Sequence, residues 1–343
     1  MTPVTAFTLS GAGYLPGTLA LINSLQITGF EGEVTVLDAG MDDHARALLE
    51  RRVSVRTLPG DPSSHPVLRK PRLHELEPEG VVIFLDSDMI ATGSLDHIVG
   101  QAERGQICLF PDHPSTGDRA FPVWETTFGL SAPLRRRRHL NTGFVGFSVE
   151  RWPDLLRRWD AACRQIPSDE VFVPVMHEPP ATRFASRPFW GGDQDAFNAI
   201  LMSEVPEDAI AEQPEDGEVF PDTMAEVEVV DEATLECRYR GSSPTLLHYV
   251  LSPKPWQSNS WRRVRRDAYV RLLRRLLADE PDCGELPLWL RQNARGEATL
   301  RSLSLLNGGK VTAEESARAA VHALPRPAKS ALRSMRDVVS NLR

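Results

Sequence analysis

The sequence contains no apolar run close to the roughly 20 residues that a membrane-spanning helix needs. It has only four cysteines, and no two of them form a Cys-x-x-Cys pair, which argues against a zinc knuckle and against a disulfide framework. The first ten residues have no basic flank ahead of an apolar stretch, so they do not resemble a secretory signal. These absences predict a soluble, cytoplasmic protein whose thiols are buried.

Basic residues are scarce in most of the chain and concentrated at one end. The formal net charge is -8 at pH 7, yet residues 1–256 carry 22 basic and 38 acidic side chains, whereas residues 257–343 carry 17 and 9. The acidic body would repel phosphate, which argues against nucleic acid as a partner. The basic region has the composition for peripheral contact with an anionic membrane. However, its apolar positions form a stripe that favours packing on the body. That stripe comprises Val264, Leu272, Leu273, Leu276 and Leu277.

The length of 343 residues allows one large α/β domain and an appendage. Apolar, β-branched segments alternate with helical patterns, which predicts a mostly parallel sheet flanked by helices. The predicted strands are residues 4–9, 33–38, 81–86, 107–110 and 143–149, and the predicted helices are residues 17–25, 41–52, 67–76 and 152–165. We expect one domain at residues 1–256 and a basic, mainly helical extension at residues 257–343.

Two charged segments interrupt this pattern. Residues 204–236 contain 13 acidic side chains and neither lysine nor arginine, together with three prolines. Such a composition is typical of a loop-rich insert with a solvated surface. Residues 135–138 are four consecutive arginines, which would meet either an anionic partner or water.

A Gly-rich turn follows the first predicted strand, with glycines at positions 11, 13 and 17, and Asp38 ends the second strand. Dinucleotide-binding folds have such a turn and such a carboxylate, so an NAD- or S-adenosylmethionine-dependent Rossmann enzyme is one interpretation. The spacing, however, is Gly-x-Gly-x-x-x-Gly, and Pro16 lies where the pyrophosphate turn needs free amides. The glycines are equally well explained by a simple turn.

Two carboxylates, Asp86 and Asp88, come at the end of the apolar strand predicted at residues 81–86. Enzymes built on parallel sheets have their sites at this end of the strands, and carboxylate oxygens are ligands that Mg²⁺ and Mn²⁺ prefer. Such an ion would act as a Lewis acid. An Asp-x-Asp pair alone is a weak signal, because acids with this spacing are common in solvated turns.

Three further segments carry polar side chains in settings suited to a ligand. They are LNTGFVGF at residues 140–147, GGDQDAFN at residues 191–198 and HYVLSPKPW at residues 248–256. Each has a structural explanation as well: Asn141 as a turn former, Asp193 as a helix cap and His248 as a core histidine. Their combination in one chain favours a functional site.

Taken in order, these motifs resemble the retaining glycosyltransferases of family 8, which include glycogenin and the bacterial lipooligosaccharide galactosyltransferases. The resemblance covers residues 4–256 and includes VLDAG at residues 36–40. It implies the GT-A fold, a Rossmann-like α/β domain with a mostly parallel central sheet flanked by helices. It also implies transfer of a hexose from a nucleotide-sugar with retention of configuration, assisted by Mn²⁺ or Mg²⁺.

The resemblance also implies roles for individual residues. Tyr14 would stack on the nucleotide base, Lys254 would contact the diphosphate, and Gln194 would lie nearest the reacting face of the sugar. The implied metal ligands are Asp86, Asp88 and His248. The implied catalytic residues are Gln194, Asp193 and Lys254. The implied donor site comprises Thr8, Leu9, Ser10, Tyr14, Lys70, Asp86, Ser87, Asn141, Thr142, Asp193, Gln194 and Lys254.

The chain departs from the family pattern at two places. Position 251 is Leu where the family usually has a glycine, and the N-terminal loop is Gly-rich where many members have an Asp-x-Asn-Tyr-like segment. UDP is the first choice of donor nucleotide and GDP the second. The acceptor is unidentified, and a cationic acceptor is favoured if the acidic insert overhangs the site. A nucleotide-sugar-binding protein without turnover is a further interpretation.

Overall fold

A computed structural model describes residues 2–290 of the protein, except residues 63, 168, 172–186, 258–266, 281, 285 and 288–289. Residues 291–343 and Val264, which belong to the predicted basic extension, lie outside the described residues. Seven strands form the central sheet: β1 Val4–Ser10, β2 Glu33–Asp38, β3 Ser54–Thr57, β4 Val81–Asp86, β6 Ile107–Pro111, β7 Leu140–Ser148 and β8 Ile210–Glu212.

The strand order in this sheet is β3-β2-β1-β4-β7-β6-β8. All neighbouring strands are parallel except β7, which runs antiparallel to both β4 and β6. The predicted mostly parallel sheet is therefore confirmed. Strand β7 begins at Leu140, three residues before the predicted start, and there the Asn198 carboxamide bonds both backbone groups of Leu140 at 2.8 Å.

Helices cover both faces of the sheet, because the strands are apolar on both sides. In β4, Val82 and Phe84 belong to one core and Val81, Ile83 and Leu85 to the other. The described helices are α1 Leu15–Ile27, α2 Asp43–Glu50, α3 Pro66–Arg69, α4 Asp96–Glu103, α5 Val123–Thr127, α6 Leu155–Cys163, α7 Asp193–Ser203 and α8 Ala268–Leu277. The first core lies under α5, α6 and α7, and the second under α1 and α4.

The helix predicted at residues 67–76 is wrong in type for most of its length. One α-helical turn, α3, ends at Arg69, and Lys70–Leu76 is a 3-10 helix. Pro71 has no amide hydrogen for the carbonyl four residues earlier, so α-helical bonding cannot continue through it. The change of helix type leaves Lys70 buried beside the sheet.

The acidic insert is more ordered than its composition predicts. Strand β8 joins the edge of the central sheet, and β9 Glu218–Val219 joins a second sheet with β5 Met89–Ala91 and β12 Leu246–His248, in the order β5-β12-β9. A hairpin of β10 Glu228–Asp231 and β11 Glu236–Arg238 follows. The prediction of a solvated loop is wrong for β8 and β9, because buried apolar residues such as Val219 alternate with the acids.

The arginine run meets this same insert. Arg137 and Arg138 lie 3.6 and 3.8 Å from the carboxylate of Glu212. Arg135 donates instead to the carbonyl of Leu201, at the end of α7. Three of the four arginines therefore make contacts within the protein.

Helix α8 packs against the body, as its apolar stripe predicts. Leu272, Leu273, Leu276 and Leu277 are all buried. Asn23 of α1 donates to the carbonyl of Leu276 at 3.0 Å, and Arg271 on the outer face pairs with Glu232 of the insert. Among the described residues, no helix combines the length and apolar character needed to cross a membrane. The four cysteines are buried free thiols.

Candidate active site

The carboxyl ends of β1 and β4 lie side by side, with Leu9 opposite Asp86. Asp88 follows two residues later, just before β5. Strand β12 runs antiparallel to β5 with His248 opposite Met89, which brings the imidazole to the acid pair. His248 Nε2 lies 3.2 Å from Asp88 Oδ1 and 3.9 Å from Asp86 Oδ2. The ligand atoms of these three residues lie within 4.8 Å of one another, which fits a single divalent ion.

The other nitrogen of His248 faces a carboxylate that no sequence motif singled out. His248 Nδ1 lies 2.6 Å from Glu218 Oε1, and both side chains are buried. Burial raises the pKa of Glu218 in spite of this contact. Burial lowers the pKa of His248, but Asp88 and Glu218 outweigh it and raise that pKa to about 10. A carboxylate on one ring nitrogen fixes the imidazole and directs the other nitrogen at a metal.

Lys254 is buried beside the acid pair. Its Nζ donates to Asp88 Oδ2 at 2.5 Å and to the carbonyl of Tyr249 at 2.8 Å. Burial alone would raise the pKa of Asp88, but the charges of Lys254 and His248 hold it well below its usual range. Lys254 is therefore not an exposed surface cation.

A second buried cation, Lys70, joins the acid pair to Asp193, one of the residues implied for sugar binding. Its Nζ lies 3.1 Å from both Asp86 Oδ1 and Asp193 Oδ2, and it donates to the carbonyl of Thr142. Burial lowers the pKa of Lys70, but the two carboxylates outweigh it and raise that pKa. Asp193 also accepts a hydrogen bond from Thr142 Oγ1 at 3.0 Å, and burial raises its pKa. Asp193 therefore belongs to the site and does not cap its helix.

Gln194 lies in the first turn of α7, with its carboxamide fixed at both ends. Its Oε1 accepts from the Thr142 amide at 3.0 Å, and its Nε2 donates to Asp112 Oδ2 at 2.7 Å. Asp112 directly follows β6 and is buried. The orientation of the carboxamide is therefore set before any ligand arrives.

Strand β7 passes close to His248 at Asn141 and Gly143. The Asn141 side chain accepts from the Gly143 amide at 2.5 Å. A Cβ on Gly143 would lie 2.6 Å from His248 Cε1, so only glycine allows this approach. Asn141 is thus buried at the site, and its oxygen bonds its own strand.

The residues implied for base binding lie in and just after β1. Thr8 is buried, and its hydroxyl makes no hydrogen bond among the described residues. Ser10 accepts a hydrogen bond from α1 at 2.8 Å. The ring of Tyr14 meets Trp256 edge to face, with centroids 6.1 Å apart, and burial raises the pKa of Tyr14. The loop that contains Tyr14 and the HYVLSPKPW segment therefore lie side by side at the site.

The features behind the dinucleotide interpretation have other uses in the fold. Gly17 lies inside α1, where a Cβ would lie 2.5 Å from the carbonyl oxygen of buried Ser87 and 2.4 Å from Trp256. Asp38 accepts hydrogen bonds from two backbone amides of the following turn at 2.7 Å and pairs with Arg46. Gly17 thus allows a close helix approach, and Asp38 closes a turn.

Sequence motifs missed three buried residues next to the site: Glu218, Asp112 and His139. Asp112 follows a predicted strand, so the rule that led to Asp86 also applies to it. Glu218 stands in a segment whose composition indicates solvent exposure, and His139 follows four arginines. Only the pairing of strands distant in sequence brings these residues to the site.

No protein-family model matches this sequence, and a comparison with curated proteins finds no match either. Among solved structures, the chain is similar to the WbbM bifunctional glycosyltransferase in its apo form, with a TM-score of 0.54 and 15% identity over 85% of this chain. This chain spans 52% of the length of WbbM. It is also similar to the galactosyltransferase LgtC in complex with donor and acceptor sugar analogs, with a TM-score of 0.50 and 16% identity.

The LgtC match covers 84% of this chain and 99% of that chain. At such low identity, the similarity establishes the fold. The chain has the GT-A fold, as the motifs predict, and its resemblance to glycosyltransferase family 8 holds at the level of the fold.

Proposed function

We propose that this chain is a retaining glycosyltransferase that moves a hexose from a nucleotide-sugar to an acceptor hydroxyl, with the help of Mn²⁺ or Mg²⁺. The observation that carries the proposal is the grouping of Asp86, Asp88 and His248 within 4.8 Å, next to buried Lys254. The GT-A fold shared with WbbM and with LgtC, which was solved with donor and acceptor sugar analogs, supports it.

The side chains present suit a hard divalent ion. Two carboxylates and one imidazole offer oxygen and nitrogen ligands, and a hydrogen bond donated by His248 Nδ1 to the Glu218 carboxylate is typical of metal-binding histidines. When bound, such an ion would act as a Lewis acid and neutralise charge on the diphosphate. Lys254 would add a second positive charge beside the leaving group.

The proposed chemistry is a substitution on one face of the sugar. The bond from the anomeric carbon to the diphosphate oxygen breaks, the acceptor oxygen bonds to the same face, and the acceptor proton passes to the departing diphosphate. Gln194, held by Thr142 and Asp112, would stabilise charge that develops at the anomeric centre. Asp193, held by Lys70, would fix a sugar hydroxyl.

The donor is proposed to be a UDP-sugar, with a GDP-sugar as the second choice. Turnover of both classes should be measured with Mn²⁺ and with chelator, for the unmodified protein and for Asp88→Asn. We expect metal-dependent release of UDP that falls to background in Asp88→Asn, because the ion loses one anionic ligand. Asp154→Asn, which removes an exposed carboxylate, should leave the rate unchanged.

Ligand-binding measurements beside the turnover assay separate the competing functions. Binding of NAD or S-adenosylmethionine without nucleotide-sugar turnover would favour the Rossmann interpretation, and metal-dependent UDP binding without turnover would favour an inactive binding protein. Activity of Asp88→Asn in the presence of chelator would contradict the metal site. An NMR spectrum of the product should show the α configuration from an α-linked donor, and a β product would contradict retention.

A further inference from the structure

A buried network of charged side chains lies behind Gln194. His139 is 1% exposed, and its ring stands between two carboxylates: Nδ1 is 3.1 Å from Asp112 Oδ2, and Nε2 is 3.4 Å from Asp195 Oδ1. Arg119 donates to both oxygens of Asp195, at 2.9 and 2.7 Å. Asp195 and Arg119 are 0% and 3% exposed. Solvent therefore does not screen these charges.

The network is neutral only when His139 carries a proton on each nitrogen. Asp112 and Asp195 contribute two negative charges and Arg119 one positive charge, so a neutral ring would leave one buried charge uncompensated. A neutral imidazole also donates from one nitrogen only. Nδ1 of His139 lies at hydrogen-bond distance from Asp112, and Nε2, which makes no hydrogen bond among the described residues, has the Asp195 carboxylate as its neighbour at 3.4 Å. Burial lowers the pKa of His139, but Asp112 and Asp195 outweigh it and raise that pKa.

One oxygen of Asp112 connects this network to the candidate active site. Asp112 Oδ2 faces both His139 Nδ1 and Gln194 Nε2, while Asp112 Oδ1 accepts from the backbone amide of His113 at 2.8 Å. His139 therefore holds the carboxylate, and the carboxylate holds one end of the Gln194 carboxamide. Without a donor at the Nδ1 position, Asp112 would lose a charged partner and Gln194 a fixed anchor.

We propose that His139 is a positioning residue for glycosyl transfer, which acts by fixing Asp112 and, through it, the carboxamide of Gln194. This inference rests on the proposed function. A misplaced carboxamide would stabilise the transition state less while leaving the diphosphate and base contacts of the donor intact. The loss should therefore appear in kcat more than in the donor KM.

Two substitutions test the two ring nitrogens of His139 separately. Asn at position 139 can present an N–H near the Nδ1 position and keep the bond to Asp112, whereas Gln reaches toward the Nε2 position and Asp195. We expect His139→Gln to lower kcat about 10–100-fold with the donor KM within about twofold, and His139→Asn to restore most of the rate. In a Gln194→Ala background, His139→Gln should cost less than about twofold more, because the residue that it positions is absent.

A purely structural role predicts a different pattern. In that case both variants lower the melting temperature and kcat stays unchanged, which would overturn the inference, as would a full additive loss in the Gln194→Ala background. If the unmodified protein turns over no UDP- or GDP-sugar, the proposed function fails and this inference fails with it. If the unmodified protein is active and His139→Gln has its rate, only this inference fails.

A measurement on the unmodified protein covers the case in which the variants do not fold. ¹H–¹⁵N spectra of the histidine rings at neutral pH should show protons on both nitrogens of His139. A ring without a proton on Nδ1 would overturn the inference, because His139 then donates no hydrogen bond to Asp112.

Discussion

The cations of the candidate site already have carboxylate partners within the protein. Lys254 pairs with Asp88, and Lys70 pairs with Asp86 and Asp193. Removing one member of a buried pair leaves the other uncompensated, which costs stability. Substitutions here will therefore change stability as well as rate, and both should be measured.

If the proposed transfer is correct, Lys254→Ala should lower kcat on the order of a hundredfold and raise the donor KM by less, because negative charge would build on the departing diphosphate in the transition state. Lys254→Arg should recover only part of the rate, since a planar fork does not reproduce a point charge. Steady-state kinetics at saturating donor checks this, with Arg151→Ala as a control at an exposed cation. An unchanged kcat in Lys254→Ala would contradict the role in transfer.

Glu218→Gln should weaken Mn²⁺ binding about 10–100-fold, because the amide orients His248 less strongly and makes it a poorer ligand. Titration calorimetry without any donor measures this effect independently of turnover. Glu228→Gln is the matched control, since it removes an exposed carboxylate from the same insert. Equal Mn²⁺ affinity in the two variants would show that His248 needs no such partner.

Sequence patterns could identify the residues of the site that stand in local motifs. Asp86 and Asp88 follow an apolar strand, and Asp193 opens a Gly-rich helix start, so neighbours in sequence supply the signal. Glu218 has no such neighbours. It reaches His248 because β9 pairs with β12, with Glu218 opposite Leu246. Strand β9 has only two residues, which is too few for a sequence pattern to predict the strand or its partner.

At the scale of elements, α1 touches the site through Gly17. Alanine in place of glycine inside a helix usually stabilises a protein by roughly 0.5–1 kcal/mol. In Gly17→Ala, however, the new Cβ would lie 2.5 Å from the Ser87 carbonyl oxygen, so α1 or the loop must shift. We expect a lower melting temperature and weaker nucleotide binding.

Gly100→Ala in α4 is the matched control for this prediction. Its Cβ would meet only the end of the flexible Arg104 side chain, at 3.4 Å. Thermal melting of the two variants, together with UDP titration, compares the same chemical change in two helices. A gain in stability for both would contradict the close approach inferred for α1.

Periodicity predicted the long elements and missed the short ones for physical reasons. Strand β4 is six residues long and is apolar at every position before Asp86, which is a strong signal. Strands β8 and β9 have three and two residues, too few for any period, and acidic residues surround them. The segment Lys70–Leu76 has a helical pattern of side chains, but Pro71 changes the hydrogen bonding that the pattern assumes.

At the scale of the whole molecule, the basic helix α8 lies on an acidic body, and its leucines are covered by protein. Leu273→Ala should therefore lower the free energy of unfolding by about 2–5 kcal/mol, because the residue is 0% exposed and leaves a cavity. Arg275→Gln on the same helix should change it little, since that side chain is 40% exposed. Urea denaturation measures both changes.

If α8 instead bound a membrane, Leu273→Ala would weaken membrane binding and leave the free energy of unfolding unchanged. Sedimentation with anionic vesicles should then drop in Leu273→Ala while stability stays the same. That result would contradict the packing of this helix on the body.

The distance along the chain between the acid pair and the segment with His248 and Lys254 has a consequence during synthesis on the ribosome. Asp88 is bonded by Lys254, 166 positions later. At about 5–20 residues per second, roughly 10–30 s pass between the translation of these two residues. Through most of that interval the nascent chain has Asp86 and Asp88 but neither His248 nor Lys254, so the cluster of Asp86, Asp88 and His248 can form only after β12 has joined the second sheet.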